Sequence, residues 1–471
     1  MHLRAGTEDD FWKKLITLTI PIIAQILVGT FLNLIDNLMV GQLGDTSIAG
    51  VALGNQVFFV LSVFLFGITG SGGIFIAQYW GKRDLAAIHR VQGLCLAFSS
   101  GLAAFFAAVC IAAPQWVIGL YSRDPDVIKL GGAYLRIAAI GYLPMAVTQA
   151  YATTLRSTEQ VKPPMLVSIL ALGINTALNY LLIFGHMGLP VLGVRGAAIA
   201  TVFARCVECG LLLGFVYGRR MHAAASMQSM VRQRREFFPC FFKTSVPVLF
   251  HEGFYAVGTT LYSTVYAHIS TAAVASVEIG ITMEKLAGIM AWGMADACAI
   301  MVGNRIGAGE KDKAYAYSKR FLRLSLGLGA LGGLIVMGLR EPVLSLYQIS
   351  DSMRAITMGI FVIIALALPF RAFDFTMVVG VLRSGGDTRY NLFLEAGSIW
   401  FLGLPVAVVT GLIAGWPVTW VYAAVACVEE LFRVSLGTIR FVRKKWIHNL
   451  VEHETGSPCI PRANEEMVLE G

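Results

Sequence analysis

Charged side chains are scarce in this 471-residue chain: Asp, Glu, Lys and Arg make up 14% of it, against about 25% in an ordinary soluble protein. That scarcity excludes a disordered or coiled-coil chain and argues against a soluble enzyme. No Walker-type phosphate loop occurs, so ATP is not the energy source unless a separate subunit supplies it. Residues 327–332 read GLGALG, a literal GxGxxG, but no strand precedes them and they lie inside an apolar run, so nucleotide binding is not expected. His251-Glu252 lacks the second histidine of a zinc-protease helix. Of the eight cysteines, Cys95, Cys110, Cys206, Cys209, Cys298 and Cys427 lie inside apolar runs and read as small buried hydrophobes rather than disulfides. Cys206 and Cys209 have CxxC spacing without a second ligand pair, so zinc is not expected. No cleavable signal is read at the start, because MHLRAGTEDDFWKK is mixed in charge and the apolar run after it is too long for a signal core.

What the chain has in abundance is apolar length. Hydrophobic residues make up 56% and glycine supplies 49 positions, a frequency usual where small residues let membrane helices approach closely. A membrane helix needs about 20 mostly apolar residues. Apolar runs between polar breaks predict six spans near 15–40, 48–80, 88–113, 130–153, 164–187 and 196–217. Six more follow near 241–268, 275–304, 319–339, 354–382, 390–413 and 418–438. The reading is an all-α integral membrane protein with lobes at 1–217 and 241–445, a basic connector at 218–240 and a polar tail at 446–471. With the termini and even-numbered connections on one side, about 27 Lys and Arg fall there and about 5 opposite, which puts both termini in the cytoplasm. The net charge of +8 is not gathered into one face, so no nucleic-acid partner is expected.

The two sets of six repeat one another at one spacing. Pro21 aligns with Pro247, Gly81 with Gly307, and Leu120-Tyr121 with Leu346-Tyr347. After one residue of slippage Leu155-Arg156-Ser157 matches Leu382-Arg383-Ser384, and after a further gap Cys206-Val207-Glu208 matches Cys427-Val428-Glu429. Six spans per copy is even, so both copies enter the membrane in one orientation. They are expected to be related by a pseudo-twofold along the membrane normal, with a central cavity that rocking of the lobes exposes to each side in turn.

DNLMVG after the first span, GKRD and GAGE after the second and eighth, and LRSTEQ with LRSGGDTR after the fourth and tenth resemble the multidrug and toxic compound extrusion (MATE) family. The resemblance runs from about residue 11 to 445 and is carried by order, spacing and duplication together, in a NorM-like or related bacterial branch. It implies a cation-coupled antiporter of the plasma (inner) membrane that expels small organic, often cationic, compounds as Na⁺ or H⁺ runs inward. It also implies a monomer in contact with membrane lipids, without a cofactor.

The repeat supplies a filter, since a polar intramembrane residue present in one half only is a candidate for function rather than architecture. Asp36, opposite Tyr262, passes it, and a carboxylate within a span is costly unless paired, hydrated or bound to a cation. Asn175 and Asn179 share one helix face and stand opposite Leu402 and Val406, and Thr201 adds a hydroxyl from the next span. Hard oxygen donors with one carboxylate suit a small cation. The resemblance places a cation site at these four positions, with Asn179 where some branches have Asp, so the choice between Na⁺ and H⁺ stays open. Helix-to-helix hydrogen bonding is the bland alternative for the two asparagines.

The second half has acids of its own, Glu252, Glu278, Glu284, Asp296 and Asp374; Ile26, Ala52 and Gly70 stand opposite Glu252, Glu278 and Asp296. The resemblance assigns coupling or drug binding to an acid in the seventh span, close to Glu252, and to one in the tenth, about two residues from Asp374. Against that stands a structural role, with Arg371, Lys285 and Arg433 neutralising these acids as buried ion pairs. Tyr255, Tyr262, Met283, Met290 and Trp292 are candidates for stacking on planar cations. Pro21 removes a backbone hydrogen bond within the span that carries Asp36 and is a candidate hinge, although its duplication as Pro247 makes the kink partly architectural. The rival readings are a lipid or lipid-linked oligosaccharide flippase, which favours a cavity rich in Arg and Lys, and a membrane enzyme or receptor, for which no nucleophile or metal constellation is duplicated.

Overall fold

A computed structural model of the protein describes residues 8–188, 190–231, 237–345, 347 and 349–452. Leu346 of the repeat, Arg232, Arg234 and Arg235 of the connector, and the tail from 453 onward lie outside the described residues. Among those described there is no strand, and twelve long helices follow one another. In the first half these are α1 (Glu8–Gly41), α2 (Asp45–Lys82), α3 (Leu85–Ala112), α4 (Pro125–Ser157), α5 (Lys162–Phe184) and α6 (Val194–Gly218). In the second they are α7 (Phe237–Ile269), α8 (Thr271–Gly307), α9 (Lys311–Ser345), α10 (Asp351–Leu382), α11 (Thr388–Ile413) and α12 (Val418–Val442). Ten are long and apolar enough to cross a membrane. The other two, α7 and α12, carry His251-Glu252 and Glu429-Glu430-Arg433, so the charge that lowers their apolar character is itself the feature to explain.

Several helices run past the apolar stretches that predict them, because polar residues cap them beyond the hydrophobic window. Asp84 accepts from Ala87 N at the start of α3, Ser270 from Ala273 N at the start of α8, and Ser350 from Met353 N at the start of α10. Gly185 ends α5 with φ +73°, a left-handed conformation that glycine adopts without a Cβ penalty. The last turn of α10 (Thr376–Leu382) and two stretches of α11 (Gly397–Gly403, Val409–Ile413) widen to π-helical turns. Such turns are rare and occur frequently at functional sites. Large apolar side chains face outward, among them Leu334, Leu366 and Phe401, an exterior suited to lipid. Cys206 and Cys427, expected to be buried, are exposed on that exterior.

The chain divides into two compact units. One holds 24–76 and 84–237, and the other 1–23, 77–83 and 238–471, so the division of α1 falls just after Pro21. In the first unit, Leu61, Leu65, Leu135 and Tyr142 form one core and Tyr151, Leu155, Leu212 and Val216 another. Residues 218–231 of the connector pack within the first unit: Ala223, Ala225 and Met230 are buried, and Gln92 of α3 donates to Ala223 O at 3.0 Å. In the second unit Phe361, Ile364, Val421 and Val425 anchor the core. The last turns of α2 dock within that unit, and the repeat-related glycines Gly81 and Gly307 explain how. A Cβ on Gly81 would strike the Asn304 carbonyl, and one on Gly307 the Gln78 carbonyl, so the two helices cross backbone to backbone.

The segment after α12 straps this crossing. Gln78 Nε2 donates to Ser384 O at 3.0 Å and to His448 O at 3.2 Å, while Leu450 N donates to Gln78 Oε1 at 2.8 Å. Lys82 Nζ donates to Val451 O at 3.0 Å, and Trp446 is fully buried.

Candidate functional site

Two polar constellations lie inside the helices, one in each unit. In the first, α1 brings Asp36, α5 brings Asn175 and Asn179 one turn apart, and α6 brings Thr201. Asn179 Nδ2 donates to Asp36 Oδ1 at 2.5 Å. With its NH₂ turned toward the carboxylate, the Asn175 amide lies 3.0 and 3.3 Å from the two Asp36 oxygens. Thr201 Oγ1 sits 3.5 Å from the Asn175 amide and donates to Ala197 O at 3.0 Å. All four predicted residues therefore meet in space. Asn179 Oδ1 is buried without a hydrogen-bond partner among the described residues. One carboxylate, an orphaned amide oxygen and a hydroxyl form a donor set that fits a small hard cation. Among the described residues no group of three or more His, Cys, Asp or Glu side chains is arranged to hold a metal ion.

Arg205 of α6, its guanidinium 4.5 Å from the Phe58 ring centroid, is a basic group within electrostatic reach of Asp36. It is not among the candidates read from the sequence, although it lies in the middle of the sixth predicted span with Ala426 opposite it in the repeat.

The second constellation is ionic. Arg433 of α12 is its hub: Nη1 lies 3.2 Å from Glu395, Nη2 3.2 Å from Glu429 and 3.1 Å from Glu430, and Nε 3.3 Å from Asp374. Arg371 of α10 pairs with Glu284 of α8 and lies 3.6 Å from Glu430. Arg383 Nη1 donates to Glu252 Oε1 at 3.1 Å. Tyr262 donates to Glu429, and its hydroxyl lies 3.4 Å from Ile399 O. His251 stands between Glu252 and Glu395, at 3.4 and 3.5 Å. The cluster thus gathers six carboxylates, Glu252, Glu284, Asp374, Glu395, Glu429 and Glu430, around three guanidiniums and one imidazole.

The structure brings Glu252, Glu284, Asp374 and Tyr262 into or against this cluster, with Arg371 and Arg433 as counter-ions. Lys285 is exposed instead, as is Tyr255, while Asp296 is half-buried on α8. Glu278 is exposed and accepts from Ser263 Oγ at 3.0 Å. Pro21 is buried inside a helix that stays continuous through it, as is Pro247 in α7. Glu395, Glu429, Glu430 and His251 were not singled out from the sequence. The repeat contained the signal: at the spacings already noted, Ser168 stands opposite Glu395 and Gln25 opposite His251.

The MatE family model matches residues 21–181 and 247–409, two stretches whose starts are separated as Pro21 is from Pro247. A probable multidrug resistance protein NorM of Thermotoga maritima is 26% identical over 94% of this chain and 95% of its own length. A protein of the same description from Rhizobium meliloti is 27% identical over 84% of this chain and 86% of its own. Among solved structures, an outward-facing multidrug resistance MATE family transporter of the MOP superfamily matches with a TM-score of 0.84 at 18% identity, covering 94% of this chain and 100% of that one. At that identity the likeness establishes the fold.

Proposed function

Since the chain belongs to the MatE family, matched in both of its halves, we propose that it is a secondary active transporter that exports small organic cations in exchange for Na⁺ or H⁺. The relatives named for multidrug resistance support the efflux part of this reading. The observation that carries the coupling part is the Asp36 site, where an orphaned Asn179 oxygen and a carboxylate lie together inside the helices. A cation or proton arriving there relieves the negative charge that is costly within a span.

In the proposed cycle Asp36, Asn175, Asn179 and Thr201 hold the coupling ion. Glu252, Glu284, Asp296 and Asp374 supply negative potential toward the substrate, with Tyr255 and Tyr262 as aromatic contacts. Pro21, buried at the point where α1 passes from one compact unit to the other, is the proposed hinge. The proposal includes a monomer in the inner membrane, as the family resemblance implies, with both termini cytoplasmic, as the distribution of Lys and Arg favours. The flippase reading gains nothing from the second constellation, because Arg371, Arg383 and Arg433 all bond carboxylates rather than presenting a basic surface for pyrophosphate.

The test is export of a fluorescent organic cation from loaded proteoliposomes under an inward Na⁺ gradient or a pH gradient, imposed separately. Wild type is expected to respond to one of them, and Asp36→Asn to lose the response while remaining inserted and folded. Pro21→Ala should slow the same export. Normal gradient-driven export by Asp36→Asn would sink the site.

A further inference from the structure

The two halves contain the same interhelical polar chain, built from different chemistry. In the first, Gln25 Nε2 of α1 donates to Ser168 Oγ of α5 at 3.1 Å, and Ser168 Oγ donates to Glu208 Oε1 of α6 at 2.7 Å. The repeat carries Gln25 onto His251, Ser168 onto Glu395 and Glu208 onto Glu429. The second half joins those same three positions. His251 Nε2 of α7 faces Glu395 Oε2 of α11 at 3.5 Å, Glu395 Oε1 lies 3.2 Å from Arg433 Nη1, and Arg433 Nη2 lies 3.2 Å from Glu429 Oε2 of α12. An amide and a hydroxyl have become an imidazole and a carboxylate, and Arg433 stands where the first half has Leu212.

What the exchange adds is a group that changes charge near neutral pH. Imidazole is the side chain whose charge ordinarily changes between about pH 5 and 8, whereas the amide and hydroxyl of the first chain do not titrate there. Both nitrogens of His251 face carboxylates, Nδ1 lying 3.4 Å from Glu252 Oε1 and Nε2 3.5 Å from Glu395 Oε2. A neutral ring has one N–H and so turns a lone pair on one of the two anions, whereas an imidazolium has a donor for each. Neither nitrogen makes a hydrogen bond among the described residues, and both contacts need to close by only a few tenths of an ångström. The charged groups facing the ring are Glu252 on its own helix and Glu395 from α11; behind them stand Arg383, just after α10, on Glu252, and Arg433 from α12 on Glu395, with Asp374, Glu429 and Glu430 in turn on Arg433. Arg383 and Arg433 already bond Glu252 and Glu395, so the ring competes for their remaining lone pairs.

We propose that His251 is a proton site of the transport cycle, joining Glu252 to Glu395 when doubly protonated and leaving Glu252 to Arg383 alone when it gives up one proton. The inference rests on the antiporter reading above and adds a titrating group in the second half to Asp36 in the first. The step makes and breaks one N–H bond. As an organic cation approaches Glu252, whose side chain is 17% exposed, the proton leaves His251 for water, so one positive charge replaces another. His251 is a positioning residue, acting on the substrate through Glu252.

The test is nuclear magnetic resonance of the histidine ring nitrogens in purified ¹⁵N-histidine-labelled protein across about pH 5 to 9, with and without ethidium as the organic cation. His251→Gln, which copies Gln25, identifies the resonance by its loss. If that variant does not fold, Glu395→Gln identifies it by its shift. The expected result is a doubly protonated ring at low pH that loses one proton within the range, at a lower pH in Glu395→Gln and in the presence of ethidium. In proteoliposomes His251→Gln should flatten the pH dependence of export seen in wild type. A ring that stays a single neutral tautomer across the range, or a pH profile unchanged in His251→Gln, overturns the proposal. Wild type that exports nothing under any gradient sinks the antiporter reading instead, and the ring titration then still decides whether His251 takes up the proton.

Discussion

Arg433 shows how much one side chain can hold. Four carboxylates from three helices converge on it, and its side chain is 11% exposed. Removing one partner from a buried ionic group leaves uncompensated charge and costs on the order of 3–5 kcal/mol. Arg433→Met is therefore expected to lower the melting temperature in detergent sharply, and an unchanged melting temperature would mean that the acids do not depend on it. Glu310, in the turn between α8 and α9, is a milder case. Partial burial would raise its carboxyl, but hydrogen bonds from Lys313 and Arg305, both at 2.7 Å, outweigh that and hold it below the usual range. A carboxyl held low contributes stability above its unfolded value, near about 4.3, and loses it as the pH falls through the folded one. Wild type should then lose more melting temperature between pH 5 and pH 3 than Glu310→Gln does. Equal losses would show that these bonds contribute nothing in solution.

At the scale of elements, the strap after α12 and the crossing of α2 with α8 act together. Gln78 bonds the strap and also provides the carbonyl against which Gly307 packs. Trp446 is fully buried, stacks with Phe441 at 5.9 Å and covers Gly385. Truncating a buried tryptophan to alanine costs about 3–5 kcal/mol in a packed core. Trp446→Ala is expected to show that loss in thermal unfolding and to speed hydrogen exchange at the end of α2, because the strap's bonds to Gln78 and Lys82 loosen with it. Exchange at 77–83 that matches wild type would mean that the glycine crossing holds α2 alone. From the sequence, the polar stretch after α12 reads as a tail, because strap residues such as His448 and Leu450 form their bonds through backbone atoms, which side-chain composition does not report.

For the whole molecule, duplication is legible in the sequence because it is written in local identities. Pro21 with Pro247 and Gly81 with Gly307 are repeated one for one, and the family match repeats at the same spacing. The helices were legible because a bilayer requires long apolar segments that satisfy their own backbone groups, and composition reports such segments directly. Their ends were less so, since Ser270 and Ser350 extend α8 and α10 through caps that hydropathy does not register. The first constellation was legible as a set because Asn175 and Asn179 share a helix face and Asp36 is costly wherever it lies in a span. The second was legible only in part. Asp374 and Glu252 stand out as lone acids, whereas Glu429 is shared with Glu208 by the repeat and so reads as architecture, and its meeting with Glu395 and Glu430 at Arg433 depends on tertiary packing.

By itself, then, the sequence determined the helical class, the twofold repeat of six spans, the family and the positions where charge departs from apolar surroundings, because each depends on local composition or on identity at a fixed spacing. Only the tertiary structure decided which charges meet. That Arg433 gathers Asp374, Glu395, Glu429 and Glu430, and that His251 stands between Glu252 and Glu395, depends on helices far apart in the chain turning particular faces to one another. Helix periodicity states which residues share a face; which face is turned to which neighbour follows from side-chain packing across the whole unit.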